Sequence, residues 1–253
     1  MKKTKLASLL SLLTLTAGFS ATVAAEEKKL APWQLAEKTE VWQPLPKIIS
    51  ALPDLPPSDA VILLDGKGLS QWQTLKGGEP QWTVSEGKVT VKPGSGDIKT
   101  KQDFCDVQLH LEWQAPIPEA TMEGQQRNNS GIFLQQRYEI QILDSFDNRT
   151  YSNGQAASVY KQTIPLVNAS RPPGQWQSYD IIYQAPRFDG DKLVAPAYVT
   201  VLHNGVLVQN HTEIQGSTEW IGEPSYKAHG CAPLQLQDHG NLVSFRNMWL
   251  REL

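Results

Sequence analysis

The chain has 253 residues, with 23 Lys and Arg against 26 Asp and Glu, a formal net charge of −3. Residues 1–25 hold three lysines and no acid, so the remainder carries 20 basic against 26 acidic residues, a balance of −6. A mildly acidic chain lacks the clustered cations that nucleic acid or anionic lipid requires. Eight Trp, 17 Pro and only two Cys also exclude a disordered tail, a coiled coil and a disulfide-dense mini-protein. About 230 residues can bury a full core, and all-β sandwiches of that length are often one domain.

The first 25 residues read as a secretory signal peptide. Lys2, Lys3 and Lys5 precede an apolar run from Leu6 to Phe19, and the small residues Val23, Ala24 and Ala25 precede Glu26. A membrane span needs about 18–20 apolar residues, more than this run supplies. No later segment reads as a span, so the expectation is an exported bacterial protein, periplasmic or secreted. In an oxidising compartment Cys105 and Cys231 can bridge, with two buried thiols as the alternative. Their spacing does not suit zinc. Sequons at Asn128, Asn148, Asn168 and Asn210 read as unmodified polar loops.

Residues 26–58 read as an irregular arm. Five prolines between Pro44 and Pro57 forbid a continuous helix or a central strand. Trp33, Trp42, Ile48, Ile49 and Leu52 suggest an arm packed along the domain surface, with a linker as the alternative. From residue 59 to 253 the signals are β. Val61–Leu64 is a short apolar run. Glu86-Gly87 separates two strand-like segments as a hairpin turn. Cys105 to Trp113 alternates with period two, so Cys105, Val107, Leu109, Leu111 and Trp113 face one side. Strand signals continue at Ile132–Leu143, Tyr179–Tyr183, Tyr198–Val208 with a turn at Asn204-Gly205, and Leu242–Leu250. Many short strands between turn residues imply an all-β, two-sheet sandwich or jelly roll.

Three regions could carry chemistry. In Tyr138–Leu143, Glu139 and Gln141 share a face in mid-strand, where a carboxylate is costly unless solvated in a groove or paired. Such a pair can bind sugar hydroxyls, and the carboxylate can move protons. A solvent-facing strand surface is the alternative. Asp238, His239 and Asn241 occupy a Gly-containing turn, which suits proton transfer by His239 or, equally, a turn that caps its own backbone. The facing of Arg246 is undecided, because its neighbours do not alternate. His110 and Glu112 share a strand face and could supply two ligands to a divalent cation, but no third ligand is implied and a polar sheet face is preferred. Trp176 could stack on a sugar or sit in the core. No nucleophile elbow, phosphate loop or dinucleotide fingerprint occurs.

Six strings then occur in one order: LLDGKGLSQW from Leu63, NNSGIFL from Asn128, YEIQILDS from Tyr138, PPGQWQSYDI from Pro172, VTVLHNGVLVQN from Val199, and LQDHG with FRNMWL. Together they resemble the domain-of-unknown-function 1080 family, the 3-keto-disaccharide hydrolase domain, over about residues 59–253. The resemblance implies a concanavalin-like (lectin-like) jelly roll and action on glycosides whose C3 hydroxyl is oxidised. Two departures, Gln135-Gln136 before Arg137 and Gln175 before Trp176, are expected at the rim of the site. The proton at C2 of such a substrate is acidified by the carbonyl. A base can remove it, the aglycone leaves from C1, and water adds to the enone. On that reading Glu139 is the base and His239 the proton donor or carbonyl polariser, with Asp144 the next carboxylate to consider. Asn129, Gln141, Trp176, Asp238, Asn241 and Arg246 then bind substrate. Hydrolysis by two carboxylates, a non-catalytic carbohydrate-binding module and a structural envelope protein are the alternatives.

Overall fold

The computed structural model describes residues 30–53 and 55–253. The expected signal segment lies outside them. No helix among the described residues is long and apolar enough to cross a membrane. The chain divides into two compact units between Ile48 and Ile49. In the first, a short helix α1 (Pro32–Ala36) opens on Pro32 at its first turn, where a missing N–H costs nothing. The Gln34 side chain accepts a hydrogen bond from the Ala31 N–H at 3.0 Å. A 3₁₀ turn, Glu37–Thr39, follows.

The second unit is built from strands β1 (Val61–Leu64), β2 (Trp72–Thr74), β3 (Thr83–Ser85), β4 (Lys88–Thr90), β5 (Ile98–Thr100), β6 (Val107–Gln114), β7 (Ser130–Leu134), β8 (Tyr138–Ile142), β9 (Trp176–Gln184), β10 (Arg187–Asp189), β11 (Lys192–Ala195), β12 (Tyr198–His203), β13 (Val206–Glu213), β14 (Gln235–Leu236) and β15 (Ser244–Glu252). An eight-stranded sheet runs β13-β12-β9-β6-β15-β4-β3, with β1 also on β15. A five-stranded sheet runs β2-β5-β14-β7-β8, and β10-β11 is a separate ribbon. All pairings are antiparallel. This is the two-sheet sandwich expected from the alternation and the turns.

The turn chemistry acts where the sequence puts it. Glu86 and Gly87 (φ 52° and 74°) join β3 to β4, and Asn204 and Gly205 (φ 53° and 79°) join β12 to β13. Both pairs take the left-handed backbone that a tight hairpin with native twist requires. Strand β6 alternates buried and half-buried residues without a break. Leu109, Leu111 and Trp113 with Tyr179, Ile181 and Tyr183 of β9 join one apolar core with Ile132, Tyr138, Ile140 and Ile142 of the smaller sheet. The Tyr179 hydroxyl crosses that core to donate to the Gln141 carbonyl at 2.8 Å. Arg246 does not alternate with its neighbours because β15 bulges there. The register with β6 shifts between Arg246 and Trp249, and Asn247 has φ 44°. Two successive side chains therefore leave the core, as a bulge demands.

Cys105 and Cys231 are bonded to each other, closing a separation of 126 residues. Beside them the backbones of Phe104 and Ala232 pair as an isolated bridge. The bond ties the start of β6 to the segment that leads into β14. Constraining so long a loop in the unfolded chain is worth about 2–4 kcal/mol in typical cases. Replacing both cysteines by serine should lower Tm by several degrees in a calorimetric scan. An unchanged Tm would show that the bond adds no stability.

Candidate functional site

The outer face of the smaller sheet holds the site. Cross-strand register places Gln73, Lys99, Gln235, Phe133 and Glu139 in one row across it. The next row pairs Gly131 with Gln141, and Gln237 donates its N–H to the Gly131 carbonyl at 3.1 Å. Strand β8 is not an open edge. Segment 157–160 pairs along it, with Tyr160 N–H donating to the Glu139 carbonyl at 3.1 Å and Gln141 N–H to the Ser158 carbonyl at 3.0 Å. Thr218 continues this cover, its hydroxyl accepting from the Glu139 N–H at 2.9 Å. All five residues of β8 are consequently buried. The solvent-facing alternative for Glu139 and Gln141 therefore does not hold.

Between these walls lies a cavity of about 210 Å³. Asn129, Glu139, Gln141, Gln237 and His239 supply its polar lining, with Thr218, and Phe133, Tyr160 and Trp220 its rings. No Lys or Arg lines it. The Glu139 carboxylate leans across β7 above Gly131, where a Cβ would stand 2.4 Å from Glu139 Oε1. A side chain at 131 would push the carboxylate out of this position, which gives NNSGIFL a physical reason for its Gly. Gln141 Nε2 donates to Gln125 Oε1 at 3.0 Å; with the amide turned over it would instead donate to the Ser130 carbonyl at 3.0 Å and Glu139 Oε1 at 3.2 Å.

Glu139 is 5% exposed, and no cation pairs with it among the described residues. Burial, with a smaller contribution from the negative charge of Asp97, raises its pKa from 4.5 to about 8. Asp97 accepts from Asp238 N–H at 2.8 Å and from Gln235 Nε2 at 2.7 Å, and burial raises its pKa in turn.

Four of the residues singled out from sequence meet in this cavity: Glu139, His239, Asn129 and Gln141. Asp238 and Asn241 support it from behind. The Asp238 carboxylate accepts from Gly96 N–H and Gly240 N–H, both at 2.9 Å, so it shapes the turn that displays His239. Asn241 Oδ1 accepts from Asn129 N–H at 3.0 Å. Asp144 does not line the cavity. It is buried against Arg127, with Nε 2.8 Å from its carboxylate.

Trp176 and Arg246 lie on the other sheet. The guanidinium stacks 4.0 Å above the Trp176 ring, and its Nε donates to Glu112 at 2.6 Å. His110 shares that sheet face, with Nδ1 2.7 Å from Asp180, and Asn247 donates to Glu112 at 2.8 Å. These groups satisfy one another, and no cluster of three or more His, Cys, Asp or Glu suited to a metal occurs among the described residues. The two departures from the family pattern also leave the rim. Gln135 is buried in the β7–β8 turn, accepting from Tyr183 and donating to the Phe104 carbonyl. Gln175 follows Gly174 in the turn before β9, away from the cavity. Sequence reasoning missed Tyr160, Thr218, Trp220, Gln237 and Asp97. Gln237 alone had a signal, lying two residues before His239 on a strand pattern.

The raised pKa has a consequence for stability. A carboxyl that ionises near 8 when folded and near 4.5 when unfolded favours the native state fully below pH 4.5. That contribution is lost as pH rises through 8. Glu139→Gln cannot titrate. Its stability relative to the unsubstituted protein should therefore rise between pH 4.5 and 8, by an amount on the order of a few kcal/mol, and level off above. Denaturation curves that keep a constant separation across this window would contradict the burial of an unpaired acid.

Comparison with known proteins bears on the same region. The family described as the 3-keto-alpha-glucoside-1,2-lyase-like domain matches residues 59–251. A solved structure of a candidate glycosyl hydrolase from Parabacteroides distasonis ATCC 8503 is 51% identical, covering 86% of this chain and 96% of that one, with a TM-score of 0.83. A second candidate glycosyl hydrolase from the same organism is 21% identical over 77% of this chain and 94% of that one, with a TM-score of 0.57, and shares the fold. No curated protein matches the chain. The chain belongs to the 3-keto-alpha-glucoside-1,2-lyase-like domain family, whose members are glycosyl hydrolase-like, carbohydrate-processing domains.

Proposed function

We propose that the domain is an exported enzyme that cleaves 3-keto-glycosides by elimination across C1–C2 followed by hydration. The observation that carries this reading is the single buried, unpaired carboxylate in a polar cavity free of cations. Glu139 takes the C2 proton, the C1–C2 double bond forms, and the C1–oxygen bond breaks to release the aglycone. Water then adds across the double bond to give the free 3-keto sugar, and the carboxyl proton returns. No oxidant is consumed, because the substrate arrives oxidised. His239, at the far wall, serves the C3 carbonyl oxygen where negative charge develops. Asn129, Gln141 and Gln237 offer amides to ring hydroxyls.

A pKa near 8 supports proton abstraction beside a ketone. The proton affinity of the base stands closer to that of the carbon acid than an ordinary carboxylate's does, and base strength speeds the transfer. Hydrolysis by paired carboxylates would require a second acid in the cavity. Asp97 and Asp144 do not supply it, because both are held by other partners and neither lines the cavity. A binding module has no use for an acid kept unpaired at a cost in stability. The Cys105–Cys231 bond supports export, since such bonds persist in oxidising compartments.

Incubation with a 3-keto disaccharide should release a 3-keto monosaccharide, while the unoxidised disaccharide stays intact. Glu139→Gln should slow turnover about 10²- to 10⁴-fold. The rate kcat/KM should rise with pH to a plateau above a midpoint near 8, the sign for a base in the free enzyme. Tight binding without turnover would favour the module. A rate that falls through that midpoint would make Glu139 an acid.

A further inference from the structure

We propose that Tyr160 is the acid that protonates the departing glycosidic oxygen, with Tyr151 as its proton relay. The inference rests on the elimination reading and adds the group which that reading lacks. In a 3-keto-glycoside, C1 and C3 flank C2. A base at C2 therefore leaves the carbonyl oxygen and the glycosidic oxygen directed to opposite sides of itself. One polarising group cannot serve both. The cavity offers hydroxyl or imidazole groups on either side of Glu139. His239 follows β14 on one side, while Tyr160 flanks β8 on the other.

Tyr160 is fixed there by its backbone. Its N–H bonds the Glu139 carbonyl at 3.1 Å, so paired residues place both side chains on the same face. The following residue, Lys161, takes a left-handed φ of 60° and exchanges hydrogen bonds with Asn153, 2.7 Å from its N–H and 3.1 Å to its carbonyl. The Tyr160 hydroxyl meets the Tyr151 hydroxyl at 2.5 Å. Tyr151 is seated in turn, because its ring lies against Gly154, where a Cβ would come within 2.1 Å of it. Tyr151 is 41% exposed, so the pair connects the cavity wall to water. Burial and the neighbouring Tyr151 raise the Tyr160 pKa, which keeps the phenol in its donor form.

The step balances. As the C1–oxygen bond breaks, its electron pair takes the Tyr160 phenolic proton and the aglycone leaves as a neutral alcohol. The Tyr160 oxygen recovers a proton from Tyr151, which takes one from solvent. Glu139 stays protonated until hydration, its acid proton exchanging with water that enters the cavity.

Leaving groups of different basicity separate this role from a packing role. With a 3-keto glycoside of a simple sugar or alkyl alcohol, Tyr160→Phe should slow kcat/KM about 10²- to 10³-fold. With the 4-nitrophenyl 3-keto glycoside, whose leaving group needs no proton, the same variant should lose tenfold or less. Tyr151→Phe should show the same pattern with a smaller loss. Equal losses on both substrates, or no loss on the alkyl one, would overturn the assignment. Glu139→Gln is the reference, because it should slow both substrates alike. If it slows neither, the elimination reading itself fails, independently of how Tyr160 behaves.

Discussion

A carboxylate buried in the middle of a sheet without a cation is the constraint on which the rest of the site depends. Glu139 is surrounded by groups that define its position but do not neutralise it. Gly131 gives up its side chain to make room for the carboxylate. Segment 157–160 and Thr218 satisfy the β8 backbone that would otherwise open to water. Burying the acid is unfavourable, and the remaining apolar core has to carry that cost. The return is an acid whose pKa has moved from 4.5 to about 8, into the range where a side chain can take and return protons near neutrality.

The two sheets treat charge in opposite ways. On the outer face of the larger sheet, Glu112 has Arg246 and Asn247, His110 has Asp180, and Arg251 reaches Asp59. Every one of these groups is answered by a neighbour across the strands, the arrangement of a surface built to be stable. On the smaller sheet the amides of Asn129, Gln141 and Gln237 and the ring of His239 line one cavity with an acid that no cation answers. The disulfide serves that side of the molecule, since it anchors the segment from which Gln235, Gln237 and His239 follow.

How much of this was legible in the sequence depended on whether the determining contacts were local. Period-two alternation places Glu139 and Gln141 together without any knowledge of the fold, and the Asn204-Gly205 and Glu86-Gly87 turns need only their own dihedrals. Alternation and turn residues together imply the two-sheet sandwich, and the family strings add the pairing of Glu139 with His239. Tyr160, Thr218 and Trp220 had no such signal, because they sit in irregular segments that reach β8 only through long-range pairing. Trp176 and Arg246, expected to bind substrate, lie instead on the larger sheet. The bulge at Asn247 breaks the alternation that would give the facing of Arg246, while Trp176 takes the outer face of β9 by that strand's own alternation and carries the Arg246 guanidinium. Asp144 lies two residues beyond Ile142, the end of β8, so strand period no longer fixes its direction and Arg127 captures it.

In the proposed reaction Glu139 removes the proton at C2 of a 3-keto sugar. Hydrogen exchange at that carbon reports the proton transfer in bound substrate without requiring aglycone departure or hydration. A 3-keto glycoside incubated in heavy water with the protein, and recovered before cleavage is complete, should carry deuterium at C2. With Glu139→Gln the recovered substrate should carry none above the rate without protein. Undiminished exchange with Glu139→Gln would contradict the account and assign the proton transfer to another group.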